Sequence, residues 1–176
     1  MKNVRNIFLA TGLILTSAAF AFAQSSTPKA AVESFYKFDR SHSQVFNRRN
    51  IDARKPWFSP ALYSLFLKEL KRQAAFERRN PNEKPYFGDG LPFQPYDETC
   101  KAGRRELHKT LVIKQEFQRA RHAAATATFA FPRACTERDT NVYTIGLIKV
   151  GSRWLIDDVN YGEDTTLQER LKRKEY

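Results

Sequence analysis

Apolar residues recur at helical spacing in two stretches near the start of the chain, and β-forming residues gather in four stretches near its end. In the first stretch Val32, Phe35, Tyr36, Asp39, Ser43 and Phe46 fall on one face at three- and four-residue intervals, with Asp39 and Ser43 as polar intruders. Thr27-Pro28 supplies the start of this helix: a capping hydroxyl, then a proline whose missing N–H costs nothing in the first turn. The pattern predicts that the helix fades by Asn47 or Asn50. Ser59-Pro60 repeats the start signal, and Leu62, Leu65, Phe66, Leu70 and Ala74 form the buried stripe of a second helix. Lys68, Lys71, Arg72 and Arg78 lie on its outer face, and Asn80-Pro81 ends it.

From Pro81 to Cys100 the periodicity stops. Pro81, Pro85, Pro92 and Pro95, with Gly88 and Gly90, rule out a long regular element there. Strands are expected over Glu106 to Gln118, His122 to Phe131, Asn141 to Val150 and Arg153 to Tyr161, where Thr, Val, Ile, Phe and Tyr dominate. Gly151-Ser152 joins the last two as a tight hairpin. A hairpin about residues 119–121 makes paired position numbers in the first two strands sum to roughly 240. A short helix near Thr166 to Lys174 closes the chain.

The first 23 residues read differently. Lys2 and Arg5 precede an uncharged apolar run from Ile7 to Phe22 that ends in Ala21-Phe22-Ala23, the pattern of a secretory signal peptide cut before Gln24. The run is shorter than the roughly 20 apolar residues a spanning helix needs. A domain over residues 24–176, secreted or periplasmic, is the expectation, with no transmembrane segment after cleavage. The net charge of +11 loses Lys2 and Arg5 with the leader, so the remaining chain is about +9 and leans toward anionic partners. Export removes nucleic acid from the list and leaves acidic proteins or anionic envelope ligands. Two cysteines in an exported chain are expected to bond to each other, and a Cys100–Cys135 bridge would contribute on the order of 3–4 kcal/mol in the chain-entropy picture.

The order of elements, N-terminal helices packed on a curled antiparallel sheet of about four strands, makes the fold class α+β. Phe35-Tyr36-Lys37-Phe38, Asp89-Gly90-Leu91-Pro92-Phe93 and the segment from Gly151 through Arg153-Trp154-Leu155-Ile156 to Val159 carry a resemblance across most of the chain after the leader. It resembles an uncharacterised exported bacterial family of the nuclear transport factor 2-like superfamily. The resemblance implies a cone-shaped fold with a pocket between helix and sheet. It carries over no activity, because the superfamily holds isomerases and dehydratases beside non-catalytic binding domains.

Several residues invite chemistry. Strand alternation puts Trp154, Ile156 and Asp158 on one face and Leu155, Asp157 and Val159 on the other. Burial beside Trp154 could raise the pKa of an aspartate enough for it to act as a general base. It could equally leave the carboxylate bonded to a Lys, an Arg or a backbone N–H. Asp39, sharing a face with Tyr36 and Ser43, could enter the same pocket or pair with a neighbouring Arg. The candidate pocket is therefore Tyr36, Asp39, Trp154 and Asp158. Tyr86, Phe87, Phe93 and Tyr96, among prolines, form a candidate binding loop, or else cover the open end of the sheet. Basic pairs such as Arg48-Arg49 and Arg78-Arg79 could frame it. His42, His108 and His122 lack metal-ligand spacing, and the Gly88-Asp89-Gly90 turn lacks the alternating oxygens of a calcium loop, so no metal or other cofactor is expected.

These signals favour a non-catalytic binding domain for an acidic protein or small anionic ligand, one form of which is an immunity or inhibitor protein. The alternative is a small pocket enzyme working by Asp-based proton transfer, and a further possibility is a homodimer formed through the sheet.

Overall fold

The computed structural model describes residues 27–97, 106–107, 110–130, 140–162 and 165–173, with the side chains of 96–97 and 106–107 excepted. The leader through Ala23, Cys100, Cys135 and the Tyr96 side chain lie outside the described residues. Among them no helix is long and apolar enough to cross a membrane.

The first helix, α1 (Pro28–Asp39), begins as its signal predicts, with Thr27 Oγ1 accepting from the Ala30 N–H at 3.2 Å. It ends earlier than the apolar spacing suggests. Ser41 Oγ donates to the Phe38 carbonyl at 2.9 Å and His42 Nδ1 lies 2.7 Å from the same oxygen, so side chains take up a carbonyl that a longer helix would have used. Ser43 and Phe46 therefore lie in the connection beyond α1. A helix absent from the spacing argument follows, α2 (Arg48–Arg54), capped by the Asn47 side chain, which accepts from the Asn50 N–H at 2.9 Å. The residue at which one helix was expected to fade starts another. A 3₁₀ turn at Lys55–Trp57 leads into α3 (Pro60–Arg79), where Ser59 Oγ accepts from the Leu62 N–H at 2.9 Å and Asn80 closes the far end.

The expected strand from Glu106 divides. A two-residue pair, β1 (Tyr96–Asp97) with β2 (Glu106–Leu107), stands apart from a four-stranded antiparallel sheet of β3 (Thr110–Gln118), β4 (His122–Ala130), β5 (Thr140–Val150) and β6 (Arg153–Asn160), hydrogen-bonded in that order. Thr110 faces Ala130 and Gln115 faces Ala125, the pairing expected of a turn at residues 119–121, until a bulge at Glu116 shifts it by one. The chain is thus α+β, with four helices among the described residues and a curled antiparallel sheet.

A second bulge matters more. Leu147 faces Ile156 but Gly146 faces Asp158, so Asp157 is the extra residue and the alternation expected along β6 breaks there. Trp154 and Ile156 face the core ahead of the bulge, and beyond it Val159 rather than Asp158 joins them. The sequence α4 (Leu167–Lys172) closes the chain with a capping box between Thr166 and Glu169.

The core lies between the helices and the inner face of the sheet. Phe35, Phe58, Phe66 and Phe93 meet at its centre, with the Phe93 ring 5.0 Å from Phe35, 5.2 Å from Phe58 and 5.8 Å from Phe66. Ala123, Ala125 and Ala127 contribute small side chains from β4 to the same core. The 84–91 turn is held onto the helices by the Leu91 N–H, which donates to the Gln44 carbonyl at 2.6 Å. Gly90 makes that approach possible: its φ is +129°, and a Cβ there would lie 2.7 Å from the Gln44 oxygen. Gly90→Ala is expected to cost about 1–3 kcal/mol, and an unchanged urea midpoint would contradict this.

Candidate functional site

Two residues of the expected pocket, Tyr36 and Asp39, sit in the last turns of α1 and are fully buried. Asp39 does pair with an arginine, and the arginine comes from α2. Arg54 Nε donates to Asp39 Oδ1 at 2.6 Å, with neither side chain exposed. The guanidinium also donates to the carbonyls of Asn50 at 3.0 Å and Ser43 at 3.1 Å. The Gln94 amide donates to the other Asp39 oxygen, and Gln44 Nε2 donates to the Asp39 backbone carbonyl at 2.7 Å. Burial pushes the Asp39 carboxyl above its usual range, against the pull of Arg54 and Gln94. Both carboxylate oxygens are engaged, and the cluster fastens α1, the connection after it, α2 and the Gln94 loop at one point.

From Tyr36 a line of rings crosses to the sheet. Tyr36 meets Phe129 edge-on at 5.4 Å, Phe129 meets Tyr143 at 5.0 Å, and Tyr143 meets Tyr161 at 4.9 Å, each in a T-shaped arrangement. The Arg170 guanidinium covers the far ring, 4.6 Å from the Tyr161 centroid. The last two tyrosines and Arg170 line a cavity of about 340 Å³, together with Pro92, Gln94, Asn141 and Gly162. Tyr161 donates from its hydroxyl to the Pro92 carbonyl at 3.0 Å, and Arg170 Nε donates to Thr165 Oγ1 at 3.3 Å. Burial, as the leading cause, raises the phenols of both Tyr36 and Tyr161, so each stays neutral at working pH and keeps its hydrogen. The Tyr36 hydroxyl is buried with no hydrogen-bond partner, although Tyr143 and Tyr161 are near enough to act on its ionisation.

Asp158 and Trp154 stand elsewhere. Asp158 Oδ1 accepts from the N–H groups of Val159 at 2.8 Å and Gln168 at 2.9 Å. This is the backbone-bonded alternative read from the sequence, and it ties β6 to the first turn of α4. Trp154 pairs with Lys149 at the hairpin end of β6, with the Lys149 ammonium 5.8 Å from its ring, so it does not line the cavity. Tyr36 and Asp39 are thus adjacent, while Trp154 and Asp158 do not join them as a proton-transfer set.

The expected binding loop is corrected in the same way. Phe87 and Phe93 are 5 % and 0 % exposed and belong to the core, because Phe46 and Phe87 stack at 5.0 Å and Phe93 packs among the central rings. Tyr86 is 45 % exposed, and the Arg173 guanidinium lies 5.1 Å from its ring. Asp89 pairs with Lys84 in this turn.

Sequence reasoning missed Arg54, Gln94, Tyr143, Tyr161 and Arg170. A buried Asp on an apolar helix face called for a cation, but 30 Lys and Arg residues offered no means of choosing one. In comparison with known proteins, no family model, no curated protein and no solved structure matches the chain.

Proposed function

We propose that this chain is an exported, non-catalytic binding domain of the nuclear transport factor 2-like cone class, and that it takes a small anionic ligand in the cavity beside Arg170. The observation that carries the reading is the convergence of Arg170, Gln94, Asn141, Tyr143 and Tyr161 on one cavity of about 340 Å³. That volume suits a small molecule, and the terminal N–H groups of the Arg170 guanidinium and the Asn141 amide are the kind of donors a carboxylate or phosphate accepts. The acidic-protein form, including an inhibitor or immunity role, has less support, since two of the four loop rings that would make such a surface, Phe87 and Phe93, are in the core.

The enzyme reading is weaker for a chemical reason. A general base needs a lone pair facing the substrate. Asp39 has both oxygens taken by Arg54 and Gln94, and Asp158 serves backbone N–H groups. Titration of the chain with inorganic phosphate and with short carboxylates, followed by tyrosine fluorescence, tests the binding reading. Saturable binding that weakens with salt and falls about tenfold or more in Arg170→Ala is expected. No saturation by any of these anions, or full affinity in the variant, would remove it.

A further inference from the structure

We propose that the free edge of β3, with the groove between it and α1, takes an extended acidic segment of a partner protein as a fifth strand. The two edges of the four-stranded sheet differ. β6 is covered: the Ser59 N–H donates to the Ile156 carbonyl at 2.8 Å, Phe58 bridges to Ile156, and Asn160 bridges to Thr166. β3 pairs with β4 on one side, and among the described residues no backbone group bonds its other side. Alternate residues of such an edge strand turn their N–H and C=O groups outward, ready to pair. The bulge at Glu116 ends the regular edge, which leaves 110–115 as an unbroken run.

The side chains along this edge specify what it can take. Leu111 and Ile113 stand opposite the core residues Phe129 and Ala127 and so lie on the α1 side of the strand. There they line a groove of about 250 Å³ together with Glu33, Lys37 and Arg40. Those three are spaced by four and three residues, one stripe along α1 and its cap beside the strand. Val112, on the opposite face, is 62 % exposed. A strand laid on the edge would alternate in the same way, with one set of side chains in the groove and the other beside Val112.

Charge decides the occupant. Glu33 is paired with Lys29 at 3.7 Å, whereas Lys37 and Arg40 have no ion-pair partner among the described residues. The groove therefore carries two uncompensated positive charges beside two aliphatic side chains. A segment with carboxylates at alternate positions sets its charges there while its backbone extends the ladder, the main chain supplying affinity and the side chains the choice of partner. A second copy of this chain fits poorly, since edge-to-edge pairing would put Lys37 and Arg40 of both copies on the same side of the joined sheet. The surface does not use the rings of the 86–96 loop, and it shares no lining residue with the cavity beside Arg170.

The test is titration of the full chain with the acetylated and amidated peptide Val-Glu-Val-Glu-Val-Glu, followed by backbone amide NMR and hydrogen exchange. Saturation below about 1 mM is expected, weakening with salt, with the largest shifts at 110–115 and with protection gained by alternate amides of that run. The same peptide with Lys in place of Glu should bind about tenfold or more weakly. The fully N-methylated acidic peptide, which keeps every side chain and charge but has no N–H donor, should not saturate. Lys37→Gln/Arg40→Gln, two exposed changes, should weaken the acidic peptide about tenfold. No saturation by the acidic peptide, equal binding of either comparison peptide, or full affinity in the double variant would overturn the proposal. Protection of every amide of 110–115 without peptide would do the same, because the edge would then be taken by the chain itself or, where protection grows with chain concentration, by a second copy. The anion titration reads the cavity beside Arg170, so either site can fail alone.

Discussion

Arg54→Met is expected to lower the unfolding free energy at pH 7 by about 3–5 kcal/mol, the range for removing one partner of a buried ion pair. The reason is specific. Asp39 would keep its burial and the Gln94 donor but lose the charge that compensates it, and the Asn50 and Ser43 carbonyls would lose their donors. Much of this loss should be reversible by acid. Burial already holds the Asp39 carboxyl above its usual range, and without Arg54 it rises further. A carboxyl raised in the native state holds its proton to higher pH than the unfolded chain does, so its destabilising contribution is complete above the folded pKa. That contribution disappears as pH falls toward the unfolded value of about 3.9. Urea unfolding of the variant and the parent at pH 7 and pH 4.5 checks this: the deficit should shrink at the lower pH. In Asp39→Asn/Arg54→Met the two losses should be clearly less than additive. A deficit under about 1 kcal/mol at pH 7, as for an exposed pair, would show that the cluster does not hold the helices together.

The second large effect separates two rings that look alike in the sequence. Phe93→Ala should cost about 3–5 kcal/mol, as expected for a fully buried phenylalanine removed from a close-packed core. Phe93 is 0 % exposed and in ring contact with Phe35, Phe58 and Phe66. Tyr86→Ala, seven residues earlier, should cost under about 1 kcal/mol, because the ring is half exposed and its partner, Arg173, is itself exposed. Thermal or urea unfolding of the two variants side by side decides the matter. Similar losses would mean that the loop contributes its rings to the core as a set, or not at all.

The features read correctly from sequence were those governed by neighbours in the chain. Thr27-Pro28 and Ser59-Pro60 start helices because a cap and a fixed φ act over three or four residues. The β3–β4 pairing followed from the position of one turn. What failed depended on contacts across the fold. The break after Asp39 rests on Ser41 and His42 bonding the Phe38 carbonyl, which the apolar spacing did not register because Ser43 and Phe46 continued it. The bulge at Asp157 leaves no mark in composition, yet it overrides alternation and carries Val159, in place of Asp158, onto the core face of Trp154 and Ile156. Asp39 was picked out correctly as a polar residue on an apolar face. Its partner, fifteen residues on in a helix that had not been foreseen, could not be named. The cavity beside Arg170 draws on a loop, a strand and α4, and no local pattern gathers those residues.

The cation of that cavity stands on an unusually dependent support. Six residues of helix are far too few to persist in water. Leu167–Lys172 is helical because Leu167 and Leu171 are buried, Asp158 accepts from the Gln168 N–H, the Gln168 side chain reaches the Asp157 carbonyl at 2.8 Å, and Arg72 donates to the Leu171 carbonyl at 3.1 Å. Arg170 is thus in position only while the end of the chain is docked on the sheet. Detachment of this segment and loss of the guanidinium from the cavity are therefore one event. Occupancy of the cavity would accordingly appear as slower hydrogen exchange in the Leu167–Lys172 helix, and a substitution of Leu171 would act on affinity without touching a ligand.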